Sequence, residues 1–212
     1  MSSWRVEVDA YLASGVLQVE TKERSLPLSA SGHHRWCSSS LELTTAVGPL
    51  SNGILITPTL ANVSTEDLCV QSVEIIHMDG PDSPLRFLRF GFNMPGDVVR
   101  FGTMDREGVT PPPLPVDGQA CTETASHHIL TSNSLFAFAS MDRRQITLIG
   151  NSTFDVSEGT VELCCSKLRE STELTYRACL DGEVLPGGSS KTLDPVIILT
   201  GDDLNDLLEQ WA

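Results

Sequence analysis

Hydrophobic and polar residues alternate with a period of two along much of the chain, which is the pattern of a strand with one buried face. The first segment is typical, because Trp4, Val6 and Val8 alternate with the charged residues Arg5 and Glu7. Similar segments, separated by polar or glycine-containing turns, predict further strands at 16–20, 41–43, 53–57, 68–78, 85–92, 135–139, 145–150, 160–165, 174–180 and 195–200. Many short strands in one chain predict an antiparallel β-sandwich.

Three segments depart from this pattern. Small and polar residues fill 29–40, which we expect to be a loop. Pro58 lies inside a strand pattern, and a proline there predicts an edge strand or a bulge. The segment 105–125 contains three consecutive prolines and several glycines, so it predicts an extended surface loop. Long loops of this kind are often functional.

The last residues carry the clearest helical pattern. We expect Thr200 or Gly201 at the helix cap, followed by the carboxylates of Asp202 and Asp203 in the first turn, where the helix end is positive. Apolar residues at i, i+3, i+4 and i+7 form one stripe, consisting of Leu204, Leu207, Leu208 and Trp211. This stripe is expected to pack either on the sandwich or on a partner. The helix lacks a capping glycine, so we expect the chain to continue past Ala212.

Length, composition and charge predict one globular domain and argue against several classes of binding partner. With 212 residues, 40% hydrophobic and 20% charged, the chain is expected to form one globular domain over 1–212. Its net charge of −14 would repel phosphate backbones and anionic lipids, which argues against binding nucleic acid or membranes. We find no apolar run of the roughly 18 residues that a membrane span needs and no secretory leader pattern. We therefore expect a cytoplasmic location.

The sequence contains none of the familiar catalytic motifs, such as a nucleophile elbow or a phosphate-binding loop. Its six cysteines include no C-x-x-C pair, so we expect reduced, mostly buried thiols and no zinc site. Cys164 and Cys165 lie in one predicted strand and should point to opposite faces. The pairs His33-His34 and His127-His128 are expected to be exposed loop histidines. We predict no catalytic residue, metal or cofactor within this chain.

Aromatic residues cluster in the middle of the chain, at Phe87, Phe90, Phe92 and Phe101. Aromatic faces stack on sugar rings, so one interpretation is a surface near a carbohydrate site. The other is that these rings fill the sandwich core. The sequence leaves both open.

Four segments, in this order, resemble the N-terminal domain of family 36 α-galactosidases, which are retaining glycoside hydrolases. They are 60–73, with Leu-Ala-Asn-Val-Ser and then Leu-Cys-Val-Gln-Ser-Val; 86–92, Arg-Phe-Leu-Arg-Phe-Gly-Phe; 148–154, Leu-Ile-Gly-Asn-Ser-Thr-Phe; and 197–212, a strand that leads into the terminal helix. The resemblance covers nearly the whole chain. It departs at Asn93-Met94-Pro95, where the family commonly has a Gln-Ser-Trp-like stretch.

The resemblance implies a mainly β fold, an antiparallel β-supersandwich of the galactose-mutarotase type with a short C-terminal helix. It also implies that a (β/α)8 barrel follows and supplies both catalytic aspartates, at the short carboxylate spacing of retaining enzymes. This chain would be the non-catalytic N-terminal domain, which supports the barrel and its substrate rim. Candidate rim residues are Arg89, Phe90, Phe92 and Asn93. The implied partners are an α-galactoside, the missing barrel and a second copy of the chain.

Two alternatives remain open. The chain would be a freestanding carbohydrate-binding or protein-interaction module if it exposed an aromatic patch with affinity for sugar. It would be a self-contained enzyme on a mutarotase-like sandwich if a histidine and a glutamate met on one concave face. His77 lies on a predicted strand, but the sequence does not identify its partner.

Overall fold

The structure is a computed structural model, and it describes residues 5–12, 17–23, 32–37, 39–79, 84–91, 98–110, 121–141, 144–168 and 171–212. Strands make up most of this part of the chain. They are β1 Arg5–Leu12, β2 Leu17–Glu23, β3 Gly32–Cys37, β4 Leu41–Leu50, β5 Gly53–Asn62, β6 Leu68–Asp79, β7 Leu85–Gly91, β8 Val98–Asp105, β9 Gly108–Thr110, β10 Cys121–Glu123, β11 His127–Asn133, β12 Leu135–Ser140, β13 Ile146–Asn151, β14 Glu158–Ser166, β15 Thr172–Leu185, β16 Ser190–Thr192 and β17 Val196–Gly201. The helix α1 covers Leu204–Trp211.

The strands form two antiparallel sheets. The seven-stranded sheet has the order β10-β11-β14-β15-β6-β1-β2. The ten-stranded sheet has the order β3-β4-β5-β17-β13-β12-β7-β8-β9, and β16 pairs with β5 beside this path. This is the mainly β sandwich with a short C-terminal helix that the sequence predicts. The strands predicted at 135–139 and 145–150 form the hairpin β12–β13, and those predicted at 160–165 and 174–180 form the hairpin β14–β15.

The main hydrophobic core lies between the two sheets, where inward residues of both sheets form one buried cluster. On β14 the burial alternates residue by residue, so its period of two places apolar side chains in this core. The aromatic centre of the core combines Phe87 of β7 with Phe136 and Phe138 of β12. The rings of Phe87 and Phe136 are stacked, with centroids 6.3 Å apart. The core interpretation therefore holds for Phe87, which is buried.

A second apolar cluster covers the opposite face of the ten-stranded sheet. Helix α1 packs there through Leu207, which is buried against outward residues of β12, β13 and β17. Trp211 Nε1 also donates a hydrogen bond to the Asn151 carbonyl oxygen at 2.7 Å. Gly150 allows this approach, because a Cβ there would lie 2.9 Å from the indole nitrogen. The apolar stripe of the helix thus packs on the sandwich itself.

Several local predictions need correction. The segment 29–40 contains strand β3, because its polar residues pair in register with β4. Strand β2 extends to Glu23, three residues beyond the predicted end at residue 20. Pro58 lies on an interior strand, at the place where β5 changes partner from β17 to β16. The proline therefore interrupts pairing on that side without making β5 an edge strand.

The segment 105–125 is also more regular than the expected loop. Strand β9 pairs with β8, and β10 pairs with β11, while the prolines at 111–113 lie outside the described residues. No strand was predicted at His127–Asn133, where the structure has β11. The helix cap is Asp203, whose carboxylate accepts hydrogen bonds from the Asn205 and Asp206 amides. Asp203 therefore precedes the helix, in contrast to its predicted position in the first turn.

Candidate functional site

The structure describes two of the four predicted rim residues. Arg89 lies on β7 directly opposite Phe136, on the core side of the ten-stranded sheet, and only 4% of it is exposed. Phe90 faces the other way and packs partly buried against the second apolar cluster. Phe92 and Asn93 lie outside the described residues. The sheet thus separates the Arg89 and Phe90 side chains, and the rim role of all four residues stays a prediction.

A shallow groove lies beside α1 on the outer face of the ten-stranded sheet. It has a volume of about 260 Å³, and its wall includes Leu88, Ile146 and Leu204. Phe101 of β8 lines the same groove and is 65% exposed, so this ring does not fill the core. Arg86 contributes a charged side chain to the wall. Phe101 is therefore the member of the aromatic cluster that the structure shows exposed to solvent, and it lies in this groove.

The adjacent cysteines behave as the strand pattern predicts. Cys165 is fully buried in the core, whereas Cys164 faces away from it and is partly exposed. Burial, together with the nearby carboxylates of Glu162 and Glu173, raises the pKa of the Cys164 thiol to about 11. Burial also raises the pKa of Cys179. A protonated thiol is a poor nucleophile, so neither group is suited to nucleophilic catalysis near neutral pH.

Both histidine pairs lie on strands, His33-His34 on β3 and His127-His128 on β11, in contrast to the predicted loops. His127 Nδ1 shares a 2.8 Å hydrogen bond with the Ser126 hydroxyl. His128 is buried, and its Nε2 lies 3.1 Å from the Arg106 carbonyl oxygen. Among the described residues, no three His, Cys, Asp or Glu side chains come close enough to hold a metal ion.

A charged cluster lies on the face of the seven-stranded sheet that points away from the core. His77 Nδ1 lies 3.5 Å from Glu74 Oε1, and Arg177 forms an ion pair with Glu74 Oε2 at 3.2 Å. Glu162 lies 3.9 Å from the same guanidinium. Glu74 is thus a carboxylate neighbour of His77, and the enzyme alternative also requires such a pair to lie on a concave face. That alternative stays a prediction.

Sequence reasoning missed Glu74 and Arg177, although one signal was present. Glu74 interrupts an apolar run between Val73 and Ile75, and a charge within such a run is rarely buried without a partner. The partner, Arg177, lies about a hundred positions away in sequence and becomes adjacent only when β6 pairs with β15.

The described part of the chain contains no helix that is long and apolar enough to span a membrane. Neither known family profiles nor the sequences of curated proteins match this chain.

Solved structures do match it. The GH36 alpha-galactosidase AgaA from Geobacillus stearothermophilus superposes on 92% of this chain with a TM-score of 0.54 at 12% sequence identity. The alpha-galactosidase from Lactobacillus brevis covers 96% with a TM-score of 0.52 and 12% identity. The GH36 enzyme AgaB from Geobacillus stearothermophilus covers 92% with a TM-score of 0.52 and 9% identity.

The matched region is a small part of each enzyme. This chain spans 30% of the length of AgaA, of AgaB and of the Lactobacillus brevis enzyme, at their N-terminal end. At such low identity the likeness concerns the fold. The chain therefore has the fold of the N-terminal β-supersandwich domain of family 36 α-galactosidases.

Proposed function

We propose that this chain is the non-catalytic N-terminal domain of an α-galactosidase-like retaining glycoside hydrolase. The observation that carries this proposal is the asymmetry of the structural match, which covers 92% of this chain but 30% of AgaA. A domain of this kind supports a catalytic barrel and shapes the rim of its substrate site. The proposed partners are that barrel, an α-galactoside bound by the complete enzyme, and a second copy of the chain. The proposed location is the cytoplasm.

We propose a non-catalytic role for this chain because the resemblance assigns the retaining chemistry to the barrel. Retention at a sugar carbon requires two carboxylates roughly 5 Å apart, one acting as nucleophile and the other as acid/base. Both carboxylates are proposed to lie in the barrel.

The predicted rim residues Arg89, Phe90, Phe92 and Asn93 lie on β7 or in the segment that follows it. We propose that this end of the domain lies nearest the substrate.

The test begins with the reading frame beyond the codon for Ala212. We expect it to encode a barrel, which needs roughly 250 residues. The longer protein and the 212-residue chain should then be assayed with p-nitrophenyl α-D-galactopyranoside. We expect turnover by the longer protein, with NMR showing that the first product keeps the α-configuration, and no turnover by the chain alone.

Two outcomes would overturn the proposal. One is a stop codon directly after Ala212, because the domain would then have no barrel to support. The other is turnover by the 212-residue chain itself at a rate comparable to that of a longer protein. The second outcome would favour the self-contained enzyme, and His77→Asn should then abolish the activity.

A further inference from the structure

A second concave surface lies beside the loop that joins β13 to β14. It is a cleft of about 400 Å³ between the loop that joins β13 to β14 and the start of the β14–β15 pair. Small-molecule sites typically have volumes of roughly 300–1,000 Å³. Phe154 stands in its wall with 54% of its surface exposed. The carboxylates of Asp155, Glu158 and Asp181 also line it, and all three are exposed.

The loop that carries Phe154 is held in place by a buried carboxylate. Asp194 is 3% exposed, and its oxygens accept hydrogen bonds from the amides of Ser157 at 2.6 Å, Val156 at 2.7 Å and Asp155 at 3.1 Å. The Thr153 hydroxyl donates a further bond. A loop ordered before binding loses less conformational entropy when a ligand arrives. The cleft is therefore largely preorganised.

Ser134 supplies an independent indication of a ligand. It forms part of the cleft wall, is 5% exposed, and its hydroxyl has no hydrogen-bond partner among the described residues. Buried polar groups are nearly always paired, and an unpaired one costs about 1–3 kcal/mol. A polar group that enters the cleft can form a hydrogen bond with this unpaired hydroxyl.

The cleft wall selects for hydrogen-bond donors. Ionised carboxylates only accept hydrogen bonds, and no cationic side chain lines the described wall. A bound metal ion is disfavoured, because the described acidic side chains do not converge on one point. A sugar ring suits this arrangement better, since it presents hydroxyl donors at several positions. Its C–H face can also stack on the negative face of an exposed aromatic ring such as Phe154.

We propose that this cleft binds a neutral saccharide, with Phe154 as the stacking platform. Asp155, Glu158 and Asp181 accept hydrogen bonds from the sugar hydroxyls, and Ser134 pairs with a hydroxyl at the base of the cleft. The inference rests on the cleft alone and does not need the proposed hydrolase function. It gives the domain a carbohydrate contact of its own.

The test is an NMR titration of the ¹⁵N-labelled 212-residue chain with galactose, glucose and raffinose. We expect at least one sugar to shift the amide signals of 154–158 and 181–182 in a saturable way. Phe154→Ala should weaken that binding about five- to tenfold, which corresponds to about 1 kcal/mol of lost ring contact. Leu168→Ala is the control, because it removes an 84% exposed apolar side chain near the opposite end of the β14–β15 pair and should leave the affinity unchanged.

The variant Ser134→Gly tests whether the Ser134 hydroxyl contributes to sugar binding without contributing to the stability of the fold. Ser134 has a φ of 68°, which glycine adopts without strain, so the backbone should be kept. Removing an unpaired hydroxyl should not lower the melting temperature, yet sugar affinity should fall about threefold or more. Unchanged affinity in both Phe154→Ala and Ser134→Gly would overturn the proposal.

A titration with putrescine, a small dication, at low and high salt tests whether the cleft binds cations instead of sugars. Binding of putrescine that weakens with salt, with no response to any of the three sugars, would identify a cation site and overturn the saccharide proposal. An absence of shifts with every probe would do the same. These results are independent of α-galactosidase turnover by a longer protein, so the two proposals can fail separately.

Discussion

At the residue scale, Asp194 shows how one side chain organises a whole loop. Burial opposes ionisation of this carboxyl, but the hydrogen bonds from Thr153, Ser157, Val156 and Asp155 outweigh it and hold the pKa of Asp194 below its ordinary value. Since the folded pKa lies below the unfolded value of about 3.9, ionised Asp194 stabilises the fold. This contribution is fully present above about pH 4 and is lost as the pH falls through the folded pKa.

Asp194→Asn should therefore lower the free energy of unfolding at pH 7 by about 1–3 kcal/mol, because an amide cannot accept the same set of hydrogen bonds. The difference from the parent protein should shrink as the pH is lowered from 4 towards 2. Urea unfolding at pH 7 and pH 3 measures both values. Asp202→Asn is the control at an exposed position and should change little. Equal stability of parent and Asp194→Asn at pH 7 would contradict this account.

At the element scale, α1 is short and depends on its surroundings. Eight residues are too few for an isolated helix to be stable in water, so tertiary contacts must hold it. Asp203 caps its first amides, and Leu207 inserts against Gly201 and the outer face of the ten-stranded sheet. The Trp211 indole ties the last turn to Asn151. The helix thus closes the second apolar cluster.

Leu207→Ala tests this packing. Leu207 is 1% exposed, and truncating a buried leucine costs about 2–4 kcal/mol through lost burial and the remaining cavity. Glu209→Ala, at an exposed position of the same helix, should stay within about 0.5 kcal/mol of the parent. Chemical denaturation followed by tryptophan fluorescence gives both values. A cost for Leu207→Ala no larger than that for Glu209→Ala would show that the helix does not contribute to the fold.

At the scale of the whole molecule, burial differs between the centre and the edges of the sheets. All six residues of β12 are buried, because the core lies on one side and the second apolar cluster on the other. Strand β17, which is separated from β12 by β13, also has four buried residues in succession. Among the described strands, β3 and β9 lie at the two edges of the same sheet and pair on one side only. Local opening should therefore be rarest at the centre.

Native-state hydrogen exchange measures this gradient. We expect the amides of β12, β13 and β17 to exchange most slowly, close to the rate set by global unfolding, and those of β3 and β9 to exchange several orders of magnitude faster. Equal protection at the edges and at the centre would mean that a further element or a second copy covers the edges. The same measurement on a longer protein would show which edge a following domain protects.

Comparison of particular elements shows where sequence reasoning succeeds. Strands β12 and β13 and the terminal helix were predicted, because periods of two and of 3.6 residues can be recognised from residues that are close in sequence. Strand β3 was missed because its residues, Gly-His-His-Arg-Trp-Cys, have weak strand preference and depend on pairing with β4. Of the two interpretations that the sequence leaves open for the aromatic cluster, the core holds for Phe87, whereas Phe101 on the neighbouring strand is exposed.

The amino-acid sequence by itself determined the local periods, the mainly β class, the packing stripe of the helix and the lack of familiar catalytic motifs. Only the tertiary structure decided which distant groups meet. It placed Glu74 beside Arg177, and it brought Ser134, Phe154 and Asp181 around one cleft. The physical reason is that a local period depends on side chains a few positions apart. Strand order and loop juxtaposition depend instead on how both sheets bury their apolar faces together.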